Sequence, residues 1–155
     1  MKREFSLATL AGLGSGALLA GALFFQYGMG LAPCQLCIEQ RWPHLAALLI
    51  GILVFFVPNR LLMALGALAA ATSGGLGIFH TGVERGWWEG PTACSGTADI
   101  STLSPSAALD AIMAAPVVRC TDVAWEMLGL SMASWNAIFS FALAALWIVA
   151  MRRKA

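Results

Sequence analysis

Charge is what this sequence has least of. Only 11% of its 155 residues are charged, where a soluble domain carries about 25%. So few charges cannot cover a water-exposed surface, and the composition excludes an ordinary soluble domain. The remainder is 59% hydrophobic, with a mean hydropathy of +0.79. A net charge of +1 gives no electrostatic footprint for nucleic acid. Histidine is nearly absent, at two residues, and there are only four cysteines. No internal repeat of solenoid length occurs.

The missing charges are missing in blocks. From Phe5 to Ile38 no side chain is charged. Residues 7–27 form an apolar run close to the roughly 20 residues a helix needs to cross the hydrocarbon core. That is longer than the h-region of a removable signal peptide, about 7–15 residues. Similar runs cover 38–57, 61–79 and 134–151. These predict an all-α membrane protein, a four-transmembrane-helix bundle forming a single integral membrane domain over 1–155. Its two outward loops are 28–37 and 81–131.

Basic residues give the orientation. Lys2, Arg3, Arg60, Arg152, Arg153 and Lys154 fall on one side of four spans, leaving Arg41, Arg85 and Arg119 on the other. All acidic residues except Glu4 accompany the second group. The positive-inside rule then puts both termini in the cytoplasm and all four cysteines outside, where disulfides persist.

Small residues and prolines predict the local shape. Gly12 and Gly16 make a G-x-x-x-G that admits a neighbouring helix. The second span must begin near Gln35 to be long enough, with Pro43 as an early kink. Pro58-Asn59-Arg60 allows only a tight antiparallel connection. Ala67 to Ala71 with Gly74, Gly75 and Gly77 suit a third span buried among its neighbours. Trp87 and Trp88 fit the membrane interface. Ser104-Pro105 reads as a helix start, and Leu109, Ile112 and Met113 predict a short amphipathic helix on the membrane surface. Ser131 or Ser134 would cap the fourth span.

Cys34-Gln35-Leu36-Cys37 is a redox-type Cys-x-x-Cys at a helix start, where exposed N–H groups favour a thiolate. Arg41 stands one turn after Cys37 on the same helix face. An arginine so near the hydrocarbon is costly and points to function, the plainer reading being a side chain reaching up to headgroups. Cys94 and Cys120 lie far apart in the long outer loop. Zinc would call for two close-spaced cysteine pairs, and only one is present, so no metal is expected. A purely structural pair of staples is the stronger alternative. His44 reads as a packing residue. His80 is placed at a depth where it could hydrogen-bond a quinone oxygen. Glu84, Glu89 and Asp110 are expected on a solvated outer face.

Taken together, Cys34-Gln35-Leu36-Cys37-Ile38-Glu39-Gln40-Arg41, His80-Thr81-Gly82-Val83-Glu84, Gly90-Pro91 before Cys94, and Val117-Val118-Arg119-Cys120 resemble the DsbB family of disulfide-bond formation proteins. The resemblance covers nearly the whole chain. It implies a membrane thiol–quinone oxidoreductase of the bacterial inner membrane, with disulfides Cys34–Cys37 and Cys94–Cys120. A reduced DsbA-like periplasmic thioredoxin-fold partner would attack Cys94. The freed Cys120 would attack Cys34, giving a Cys34–Cys120 intermediate, and Cys37 beside Arg41 would pass electrons to ubiquinone or menaquinone. Two other readings remain at this point. One is a vitamin K epoxide reductase-like enzyme, in which the cysteine pairs normally come in the opposite order. The other is a non-catalytic scaffold with stapled loops.

Overall fold

The computed structural model describes residues 7–91, 104–114 and 118–153. Cys94, Val117 and the basic residues Lys2, Arg3 and Lys154 lie outside them. Among the described residues four helical stretches are long and apolar enough to cross a membrane: Leu7–Gly28, Gln35–Phe56, Arg60–Glu84 and Met132–Arg153. This is a multi-pass membrane protein.

The first span is α1 (Leu7–Leu23), continued by a wider π turn over Phe24–Gly28. The second is broken in two, α2 (Gln35–Glu39) and α3 (Arg41–Phe56). Pro43 explains the break. Having no N–H, it cannot bond the carbonyl one turn back at Glu39, and the helix restarts at Arg41. The Asn59 side chain accepts from the Leu61 N–H at 2.7 Å and starts α4 (Arg60–Glu84). α5 (Pro105–Ala114) follows Ser104, whose hydroxyl accepts from Ala107 N–H. Leu109 and Met113, four residues apart, are exposed on it. A two-residue hairpin, β1 (Glu126–Met127) and β2 (Leu130–Ser131), turns through Leu128 and Gly129, both at positive φ. It leads into α6 (Met132–Arg153), capped by the Ser131 hydroxyl on Ser134 N–H.

The second span starts at Gln35, as its length required, while α4 runs to Glu84 rather than stopping at 79. The extra turn of α4 carries His80 and Glu84, polar side chains that are buried, so local hydropathy understates the helix.

Small residues set how closely the spans approach. A methyl group added at Gly12 would lie 2.6 Å from the Gly51 Cα, so α1 and α3 touch backbone to backbone there. On α4, Ala70, Ser73, Gly74 and Gly77 are buried against α6, and Gly66 leaves room for the fully buried Trp147. The packed interior has two centres. One, toward Arg60, joins Ala8, Ala11, Val54, Met63, Ala70, Ala144 and Trp147. The other lies at the opposite end: Cys34, Leu36 and Val83, with Cys37, Val118 and Cys120 packed around them. Large apolar side chains such as Leu10, Leu49, Ile52, Phe56, Leu68 and Ile78 are exposed, as lipid-facing residues are.

Candidate functional site

The second centre brings together the predicted cysteines that the structure describes, Cys34, Cys37 and Cys120. Cys34 is the N-cap of α2, and its sulfur accepts from Cys37 N–H at 3.3 Å. That geometry folds the Cys-x-x-Cys back on itself and brings the two sulfurs to 2.9 Å, as thiols. Cys34 is buried, Cys37 half-buried. The hydrogen that Cys34 shares with Cys37, and then burial, hold the Cys34 thiol far above its ordinary range. Cys120 packs against this pair from the outer loop.

His80 lies on the last turns of α4, with Nε2 3.5 Å from Cys34 Sγ. Glu84, one turn on, brings Oε1 to 3.8 Å from the same nitrogen. Glu84 is not on a solvated outer face. Its side chain is only 6% exposed, because the added turn of α4 carries it under the loops, where Ser131 hydrogen-bonds it. Glu89 and Asp110 are exposed as expected.

Arg41 opens α3, and its Nη1 donates to Gln26 Oε1. Gln26 was not singled out in the sequence. It reaches Arg41 from the π turn, where one extra residue re-aims the side chains. The polar side chains of Gln40, Ser73 and Asn136 were missed too. Asn136 Nδ2 donates to Gln40 Oε1 at 2.7 Å and to the Ser73 carbonyl at 3.3 Å. Its Oδ1 takes a 2.9 Å bond from His44 Nε2. His44 is therefore a network member rather than packing alone. A polar residue buried mid-span was the available signal.

Gln40, Arg41, His44 and Asn136 border one cavity of about 270 Å³. Its apolar wall comes largely from Leu18, Ala22 and Phe25 on the first span and Phe139 on the last. Its polar rim includes Cys37, Arg41, His44, His80 and Glu84. Three buried polar atoms on that rim have no partner: Arg41 Nε, His44 Nδ1 and Glu84 Oε2. Arg41 Nε is a donor. His44 Nδ1 is an acceptor, since the ring's other nitrogen spends its proton on Asn136. An apolar slot with an unused donor suits a carbonyl oxygen of a flat ring such as a quinone, and the unused acceptor suits the hydroxyl of its reduced form.

Cys34, Cys37 and His80 also place their ligand atoms within 4.8 Å of one another, as a metal site would. The chemistry of the histidine argues against one. Gln40 Nε2 donates to His80 Nδ1 at 3.0 Å, which leaves the ring proton on Nε2, the atom that would have to bind the ion.

A membrane bundle with a buried dithiol beneath an outer loop, beside an arginine and an apolar cavity, belongs to the membrane thiol-redox class. The comparisons narrow this. The family model for disulfide bond formation protein DsbB matches residues 3–150, and this chain belongs to that family. The disulfide bond formation protein B of Pasteurella multocida (strain Pm70) is 34% identical over 149 residues, 90% of this chain and 84% of that protein. That of Shewanella loihica (strain ATCC BAA-1088 / PV-4) is 36% identical over 143 residues, 89% of this chain and 84% of its own. That of Shewanella sp. (strain MR-4) is 34% identical over 135 residues, covering 84% and 77%. No solved structure matches. The chain is thus an oxidoreductase of disulfide bond formation, and the family match favours this over the vitamin K epoxide reductase-like alternative.

Proposed function

We propose that the protein reoxidises a DsbA-like periplasmic thioredoxin-fold partner and delivers the electrons to membrane quinone. The observation that carries this is one cavity edge holding the Cys34–Cys37 pair and Arg41. A bound ubiquinone or menaquinone would supply a two-electron, two-proton acceptor reached from within the bilayer. The chain does the rest. Cys94 meets the partner, Cys120 carries the exchange inward to Cys34, and Cys37 faces the cavity as the electron donor. Arg41 holds charge beside Cys37 through an unused Nε–H, and His80 lines the same cavity beside Cys34. Leu18, Ala22 and Phe25 exclude water.

Purified protein in nanodiscs, given a reduced thioredoxin-fold partner, should reduce a soluble quinone with one partner disulfide formed per quinone consumed. Partner oxidation without quinone loss would overturn the reading.

The orientation belongs to the same proposal: both termini in the cytoplasm and the cysteines in the periplasm of an inner-membrane protein. It is supported by the partition of basic residues. In a cysteine-free background, Ser101→Cys should react with an impermeant maleimide in intact cells, and Arg60→Cys only after lysis. The reverse pattern would invert the topology.

A further inference from the structure

Gln40 is only 6% exposed and every polar atom of its side chain is used. Its two amide hydrogens go to the Leu36 carbonyl at 2.9 Å and to His80 Nδ1 at 3.0 Å. Its oxygen takes the 2.7 Å bond from Asn136 Nδ2. The backbone carbonyl of Leu36 can only accept, so the amide cannot be turned around without pairing two acceptors. The Ser73 hydroxyl, bonded to the Gln40 main-chain carbonyl at 3.1 Å, holds the residue from α4 as well. His80 Nδ1 must then accept, and its proton sits on Nε2, 3.5 Å from Cys34 Sγ, with the Cys120 backbone as a further hydrogen-bond partner of the ring. The same sulfur already takes Cys37 N–H at 3.3 Å. Two donors converge on Cys34.

We propose that Gln40 is a positioning residue that locks His80 as its Nε2–H tautomer, so that the ring stabilises Cys34 whenever that sulfur leaves as a thiolate. The inference rests on the exchange scheme proposed above. The step is the one that clears the Cys34–Cys120 disulfide. The Cys94 thiolate attacks Cys120 Sγ, the Cys94–Cys120 bond forms, and the Cys34–Cys120 bond breaks. The bonding pair stays on Cys34 Sγ, and no external oxidant or reductant is needed. The buried Glu84 side chain lies 3.8 Å from the same Nε2. Charge developing on a buried sulfur is costly without such donors, and a hydrogen bond to a charged group is among the stronger ones.

The test uses the full chain in nanodiscs with ¹⁵N-labelled histidine. With only two histidines, the His80 signals are those lost in His80→Gln. The parent should show His80 protonated at Nε2 and bare at Nδ1. Gln40→Glu places an acceptor opposite Nδ1 and should move the proton there. The same variant should oxidise a reduced thioredoxin-fold partner roughly tenfold to a hundredfold more slowly at saturating quinone, as loss of one charge-assisted bond would give. A mere packing role would slow turnover without moving the proton. The parent spectrum alone decides the tautomer should Gln40→Glu fold poorly. A parent His80 protonated at Nδ1, or a moved proton with unchanged turnover, overturns the proposal. A parent with the expected tautomer that never oxidises the partner overturns the exchange scheme instead.

Discussion

Replacing Cys94 with serine should abolish capture of the thiol partner altogether, while Cys120→Ser should trap it. In sequence Cys94 falls between α4 and α5, and the proposed orientation puts that segment on the periplasmic side. Cys120 is half-buried against Cys34 and Leu36. On the proposed exchange, a thiol partner that attacks Cys94 leaves a mixed disulfide and releases Cys120 inward. Without Cys120, no such relay to Cys34 follows, and the mixed disulfide accumulates. Non-reducing gels of the two variants with partner should show a covalent complex for Cys120→Ser and none for Cys94→Ser. In Cys94→Ser the Cys34–Cys37 pair should still react with quinone after chemical reduction. A complex trapped by Cys94→Ser would exchange the roles of the two loop cysteines.

Arg41→Gln should have the second large effect, on quinone reduction. The arginine lines the cavity with Cys37, and its Nε–H is buried and unused. A fixed donor in a dry site contributes roughly 2.7–4 kcal/mol to a step that develops negative charge, about 10²–10³ in rate. Stopped-flow reduction at limiting quinone should fall by that order, with exchange among the loop cysteines intact. Arg41→Lys should recover only part of the loss, since an ammonium is a compact charge rather than a planar fork. Unchanged rates for Arg41→Gln would make Arg41 a headgroup anchor.

The four spans are legible in the sequence because membrane insertion is a local property: twenty apolar residues announce themselves without reference to any other segment. Arg41 is legible for the converse reason, as a charge where charge is expensive. The Cys-x-x-Cys needs only its own spacing. What the sequence hides is pairing at a distance. Gln40 and Asn136 are each an unremarked polar residue until the bundle closes and brings their amides to 2.7 Å. Glu84 looks like surface because it follows a helix that hydropathy ends too early. It is buried beside His80 on the last turn of α4. The π turn has no signature in Phe24–Gly28, and without it Gln26 would face elsewhere.

That turn has a further consequence. A free arginine side chain carries about 2 kcal/mol of rotamer entropy, and an acceptor binding to it would have to suppress that motion at the moment of contact. Here the Gln26 carbonyl oxygen holds the guanidinium by Nη1 before anything enters the cavity. The loss of motion is met once, during folding, and each arriving acceptor meets a donor that is already still. Five residues of widened helix thereby convert a mobile cation into a fixed part of the wall.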